Sequence, residues 1–202
     1  MMTSKIFRAS LLAVGLILGA SCVTPTPHPE LNLISQSEYE NIIERNTRNV
    51  KIYDGFSNVL NVSGTLLTTH VTMAQIDQNA RMYQWPVDQY NAEKAKAETS
   101  LAKESKIFIS FYTPERKHDD LQKATSHWKL FLDVDGHRYE GVATRWKSIL
   151  VEVQALYPYH SRWGTPYMIT FPVPMKRIES GTSKLTITGP VGSAQLELVP
   201  KE

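Results

Sequence analysis

From Lys106 to the C-terminus, apolar residues recur at every second position, and that period constrains the fold more than any other feature of the chain. A period of two puts successive side chains on opposite faces of an extended strand. Trp128, Leu130, Leu132 and Val134 alternate with mostly polar neighbours, and Asp135-Gly136 follows as a two-residue hairpin turn. Folding back on that turn sets Asp133 opposite Arg138 and Leu132 opposite Tyr139, charge against charge and apolar against apolar. Ile149, Val151, Val153 and Ala155 predict another strand, as do Tyr167, Ile169, Phe171 and Val173. Leu185 with Ile187 and Leu196 with Leu198 predict two more, joined by the turn Gly189-Pro190-Val191-Gly192. Ile107, Phe108, Ile109, Phe111 and Tyr112 are apolar on both faces, which predicts a strand covered on both sides.

The N-terminal half mixes periods. Ser35 and Glu38 match a capping box, and Tyr39, Ile42 and Ile43 share a helical face, so a short helix is expected to end near Asn49. Val50 to Thr69 is rich in Val, Leu and Thr and reads as strand, interrupted at Asp54-Gly55. Residues 72–104 read as helix. Thr72 and Gln75 resemble a second capping box, Met73, Ile76, Ala80 and Tyr83 form a stripe, and Trp85-Pro86 breaks the run. The expectation is a single globular domain over 35–202, mainly β within the α+β class. Its predicted form is an immunoglobulin-like β-sandwich with a helical insertion at about 72–104. That comparison rests on strand number and alternation and carries no function.

The first 21 residues have the parts of an export signal. Lys5 and Arg8 supply positive charge, Leu11 to Leu18 an apolar stretch too short to span a bilayer, and Gly19, Ala20 and Ser21 a small-residue site before Cys22. The Gly-Ala-Ser-Cys ending resembles the lipobox of bacterial lipoproteins, although Gly19 stands where that family usually has Leu. The resemblance covers residues 1–22 only. It implies cleavage before Cys22 and lipidation of that cysteine. It also implies an outer-membrane address, because Val23 replaces the Asp that often retains such proteins at the inner membrane, and the expected orientation is towards the periplasm. Residues 22–34, with Pro25, Pro27 and Pro29, read as an extended tether.

Cys22 is the single cysteine, so with it lipidated the body has no thiol for a disulfide or a thiolate metal site. The chain carries 22 Lys and Arg against 20 Asp and Glu, and loss of Lys5 and Arg8 with the signal balances them. A neutral body lacks the excess basic charge that draws nucleic acid. The lipid, rather than bulk charge, must then hold it at a membrane.

No sequence signature names a reaction. There is no Gly-x-Ser-x-Gly elbow, no Ser-x-x-Lys box with its companion motifs and no phosphate-binding glycine loop. Asp133, Asp135, Gly136 and Glu140 fall short of a calcium loop and fit a hairpin. His118, Asp119 and Asp120 are adjacent rather than spaced to converge on zinc, and nothing brings His127 or His137 to them. No metal or other cofactor is expected. Residues 113–123, with Glu115, Arg116, Lys117 and His118, are a second candidate binding loop, whose favoured competing reading is a charged, mobile crossover.

The most distinctive stretch is Tyr157 to Tyr167, which combines three Tyr, one Trp, one Arg and one His with two prolines and a glycine. Tyr159, His160, Arg162 and Trp163 are its candidate binding residues, since such side chains offer large contact areas with a polar handle. The competing role is a plug in which the rings fill the end of the sandwich. Trp163 is expected to plug, and Arg162 and Tyr159 to keep the surface, because Arg rarely enters a core without a paired charge. The functional expectation is a membrane-anchored, non-enzymatic lipoprotein that binds or braces an envelope protein or cell-wall component. The alternative is an envelope hydrolase using His160 or His118 as acid-base.

Overall fold

The computed structural model describes residues 31–201. The signal, Cys22 and the tether through residue 30 lie outside the described residues. The first helix, α1 (Gln36–Arg45), starts where Ser35 Oγ accepts the Glu38 N–H at 3.2 Å, and it buries Tyr39, Ile42 and Ile43. It stops earlier than expected because Asn46 ends it. The Asn46 amide donates to the carbonyls of Ile42 and Lys201, and its Oδ1 accepts the Lys201 N–H.

Thr47 then opens β1 (Thr47–Asp54), which pairs antiparallel with β2 (Ser57–Leu66). The helical insertion is two helices, α2 (Thr69–Tyr83) and α3 (Val87–Leu101), divided at Trp85-Pro86. α2 begins earlier than the predicted box, because Thr68 Oγ1 caps the Val71 N–H at 3.1 Å. Thr72 is instead one turn in, its hydroxyl on the Leu67 carbonyl, and Gln75 reaches Tyr157.

The rest is mostly sheet: β3 (Ser105–Tyr112), β4 (Lys129–Val134), β5 (His137–Glu140), β6 (Val142–Arg145), β7 (Thr165–Phe171), β8 (Ser183–Gly189) and β9 (Gly192–Leu198), with helices α4 (Leu150–Leu156) and α5 (Met175–Glu179) between. The β4–β5 hairpin has the predicted register, Asp133 opposite Arg138 and Leu132 opposite Tyr139. Asp135 and Gly136, at φ 49° and 75°, make its turn.

Two antiparallel sheets result, one ordered β1-β2-β3-β7-β6 and the other β5-β4-β8-β9. Leu60, Val62, Ile107, Ile109 and Ile169 from the first share one core with Leu130, Leu132, Leu185, Ile187 and Leu196 from the second. On the outer face of the five-stranded sheet, Phe108 is buried under Tyr39, Val71, Val153, Leu156 and Tyr157 of the helices and the aromatic loop.

One predicted strand is a helix. Residues 150–156 form α4, with Val153 and Leu156 buried and Ile149 and Val151 exposed. The alternation of Ile149, Val151 and Val153 mimics a strand, but Leu156, three positions after Val153, supplies the helical contact with the Phe108 layer. The short β6 was not anticipated. It follows β5 after Gly141 alone, where the chain leaves one sheet for the other.

Candidate functional site

The aromatic stretch joins α4 to β7 and divides into two halves. In the first, Tyr157 is buried and stacks on Phe108 with ring centroids 3.5 Å apart, and its hydroxyl accepts from the Gln75 amide at 2.8 Å. Tyr159 is half-buried, its hydroxyl 2.6 Å from Thr65 Oγ1, and burial raises the pKa of that phenol. His160 is 3% exposed, with Nδ1 2.8 Å from Ser110 Oγ, and burial lowers its pKa because the charged imidazolium loses water.

In the second half, Ser161 and Arg162 are exposed and Trp163 is 65% exposed. The expected roles of Trp163 and Tyr159 are therefore exchanged, while Arg162 keeps the surface as expected. Trp163 is not the plug, and Tyr159 is largely inside. The space over Phe108 is already taken by Tyr157, with Trp146 and Tyr159 edge-on around the pair. A turn closed by the Gly164 N–H on the Ser161 carbonyl carries Trp163 outward. Gly164 then passes so close to β3 that a β-carbon there would sit 2.5 Å from Ser110 Oγ, so no larger residue fits without displacing Ser110.

The outward turn makes Trp163 one wall of a groove of about 570 Å³ on the outer face of the five-stranded sheet. Cross-strand register builds the floor. Lys51, Asn61 and Tyr112 stand opposite one another on β1, β2 and β3, and Asn49, Ser63 and Ser110 form the next row. Tyr53 faces Asn58 at the far end, beyond a bulge between Ile52 and Tyr53. The Asn49 amide donates to Asn61 Oδ1 at 2.8 Å and to Ser63 Oγ at 2.7 Å, which fixes the floor amides in place. Among the described residues, the side chains of Lys51, Tyr53, Asn58 and Tyr112 have no hydrogen-bond partner, so their polar atoms are available to a ligand.

Sequence reasoning missed this floor. The helical layer covers only the Thr47, Thr65 and Phe108 end of the outer face, and β3, expected to be covered throughout, opens at Ser110 and Tyr112. The available signal was the polar alternation Asn49, Lys51 and Asn61, Ser63, which marks an uncovered face once the strands are paired.

The segment expected to be a mobile crossover is anchored instead. The Asp119 carboxylate, 7% exposed, accepts from Arg145 at 2.6 Å, from Thr165 Oγ1 at 2.7 Å and from the Tyr167 hydroxyl at 2.9 Å. The Trp128 indole N–H donates to the His118 carbonyl at 2.7 Å. Burial first, and then the nearby Asp119 charge, raise the Tyr167 phenol pKa. These bonds tie the segment to β6 and β7. Among the described residues, no group of three or more His, Cys, Asp or Glu is arranged to hold a metal ion, and no helix is long and apolar enough to cross a membrane.

Chemically, the groove can stack a flat ligand face on Trp163 or Tyr53 and hydrogen-bond its edge from the floor. The Ser110–His160 pair adds a hydroxyl beside a neutral imidazole, without a carboxylate on the ring among the described residues. No protein-family model, no curated protein and no solved structure matches the chain.

Proposed function

We propose that this chain is a lipid-anchored protein of the bacterial cell envelope, held at the outer membrane by Cys22 and facing the periplasm, whose body binds an envelope component without catalysis. The groove carries the binding reading. An exposed Trp163 and an exposed Tyr53 flank a floor of fixed amides and hydroxyls, the combination of ring and polar handle that recurs at binding hot spots. The anchor rests on the lipobox resemblance, and the two-sheet body is taken as an immunoglobulin-like sandwich that presents the groove on one outer face.

Two measurements test this reading. Cys22→Ser should move the protein from the membrane fraction to the soluble fraction, and persistence in membranes at high salt refutes the anchor. The soluble Cys22→Ser chain should be retained by isolated envelopes, and adding Trp163→Ala should release it without lowering its melting temperature. Equal retention of both proteins refutes the groove as the binding surface.

The 2.8 Å contact between Ser110 and His160 favours a second reading, an envelope hydrolase in which His160 takes the proton of an attacking Ser110 hydroxyl. Covalent labelling of Ser110 by a fluorophosphonate, lost in His160→Gln, is the result that reading requires. Absence of labelling leaves the binding role alone.

A further inference from the structure

Granting that the groove is a binding surface, its chemistry restricts the ligand. None of its lining residues is aliphatic, and Lys51 is the only one that carries charge. A lipid tail would need an apolar lining. A nucleic-acid strand would need several cations along its phosphates. A peptide added as a strand would need unpaired backbone groups, and of the floor strands only the edge strand β1 has them, along the sheet margin and not on the face that carries the groove.

What the groove offers is flat ring faces at its edges and neutral amide and hydroxyl groups between them. We infer that it binds a glycan strand. A sugar ring presents a face of C–H bonds, which packs against an aromatic ring, and an edge of hydroxyls, which both donate and accept. Trp163 and Tyr53 supply the rings. Asn58 and Asn61 supply amides, which match donor–acceptor pairs of hydroxyls. The bonds from Asn49 hold Asn61 and Ser63 before a ligand arrives, which reduces the ordering cost of binding. Lys51 opposite Asn61, with no carboxylate in the lining, lets the strand carry acidic sugars or substituents as well as neutral ones.

Two envelope polymers share this chemistry, the cell-wall glycan, which a periplasm-facing body meets directly, and the polysaccharide of the outer leaflet, which such a body meets only while it crosses the periplasm. The test uses the Cys22→Ser chain with purified peptidoglycan sacculi in a pelleting assay, and with delipidated outer-membrane polysaccharide in titration calorimetry. Saturable binding to either polymer is expected, and the responding arm identifies the source. Trp163→Ala and Tyr53→Ala should each weaken it by about tenfold, the scale of a buried aromatic anchor. Phe56→Ala removes a fully exposed ring outside the groove and should leave binding unchanged. Binding to neither polymer, or equal loss in the Phe56 variant, overturns the inference. If envelopes retain the chain through Trp163 while both polysaccharides fail, the glycan assignment is wrong and the groove remains a binding surface. If envelopes also fail to retain it, the binding reading itself falls.

Discussion

Asp119 shows how one side chain can decide the behaviour of a long connection. Its carboxylate, itself buried, satisfies the partly exposed Arg145 guanidinium of β6 and two hydroxyls of β7. Removing it strands Thr165 Oγ1, while Tyr167 keeps Gln122 Oε1 at 2.9 Å and Arg145 keeps the residue 119 backbone carbonyl. Asp119→Ala should therefore cost about 1–3 kcal/mol in urea unfolding, the range for leaving a buried polar group unsatisfied. The exposed Asp133–Arg138 pair on β4 and β5 is bidentate but stays in solvent, and Arg138→Ala should leave the urea midpoint nearly unchanged.

His160 works through proton linkage. Its folded pKa lies below the ordinary histidine value because burial disfavours the charged ring. The unfolded chain therefore binds the proton first as pH falls, so the stabilisation is intact above about pH 6.5 and is lost as pH drops towards the folded pKa. Denaturant midpoints of the protein and of His160→Gln, compared between pH 7.5 and pH 5, should show a steeper acid decline with His160 present. Equal slopes would mean that the ring is protonated as readily inside as outside.

At the scale of elements, α4 gives the sharpest contrast between pattern and packing. In a strand, Val151 and Val153 would share a face and substitutions at both would behave alike. In the helix, Val153 is buried and Val151 is 67% exposed. Val153→Ala should cost about 1–3 kcal/mol, and Val151→Ala less than about 0.5 kcal/mol, read from chemical denaturation. The β4–β5 hairpin is the opposite case. Its register depends on a two-residue turn and nearest-neighbour pairs, all local in sequence, so it could be read residue by residue.

For the whole molecule, the decisive place is Gly141, where β5 in one sheet gives way to β6 in the other. A β-carbon there would lie 2.5 Å from the Phe171 ring and 2.8 Å from Ile169, both wholly buried. Gly141→Ala should overpack this corner and cost about 1–3 kcal/mol, visible as a lower melting temperature. The same corner sets β6 against β7, whose N-terminal end holds the Asp119 cluster and the loop that bears Trp163.

Several features follow from the sequence alone because they depend on neighbours in the chain. Period-two alternation predicts strands at β3, β4, β7, β8 and β9, Asp135-Gly136 the hairpin, Trp85-Pro86 the helix break, and Ser35 the cap of α1. The aromatic loop also stands out as a sequence. Its division into a buried half and an exposed half does not, because that depends on how much room remains over Phe108 once Tyr157 is seated. The groove is less legible still. Its floor comes from three strands in register, and whether Asn61, Ser63 and Ser110 meet a ligand or a covering helix depends on where α1, α2 and α4 stop across the sheet. Local pattern determines which face of a strand is polar, and only long-range packing decides which part of that face is left open.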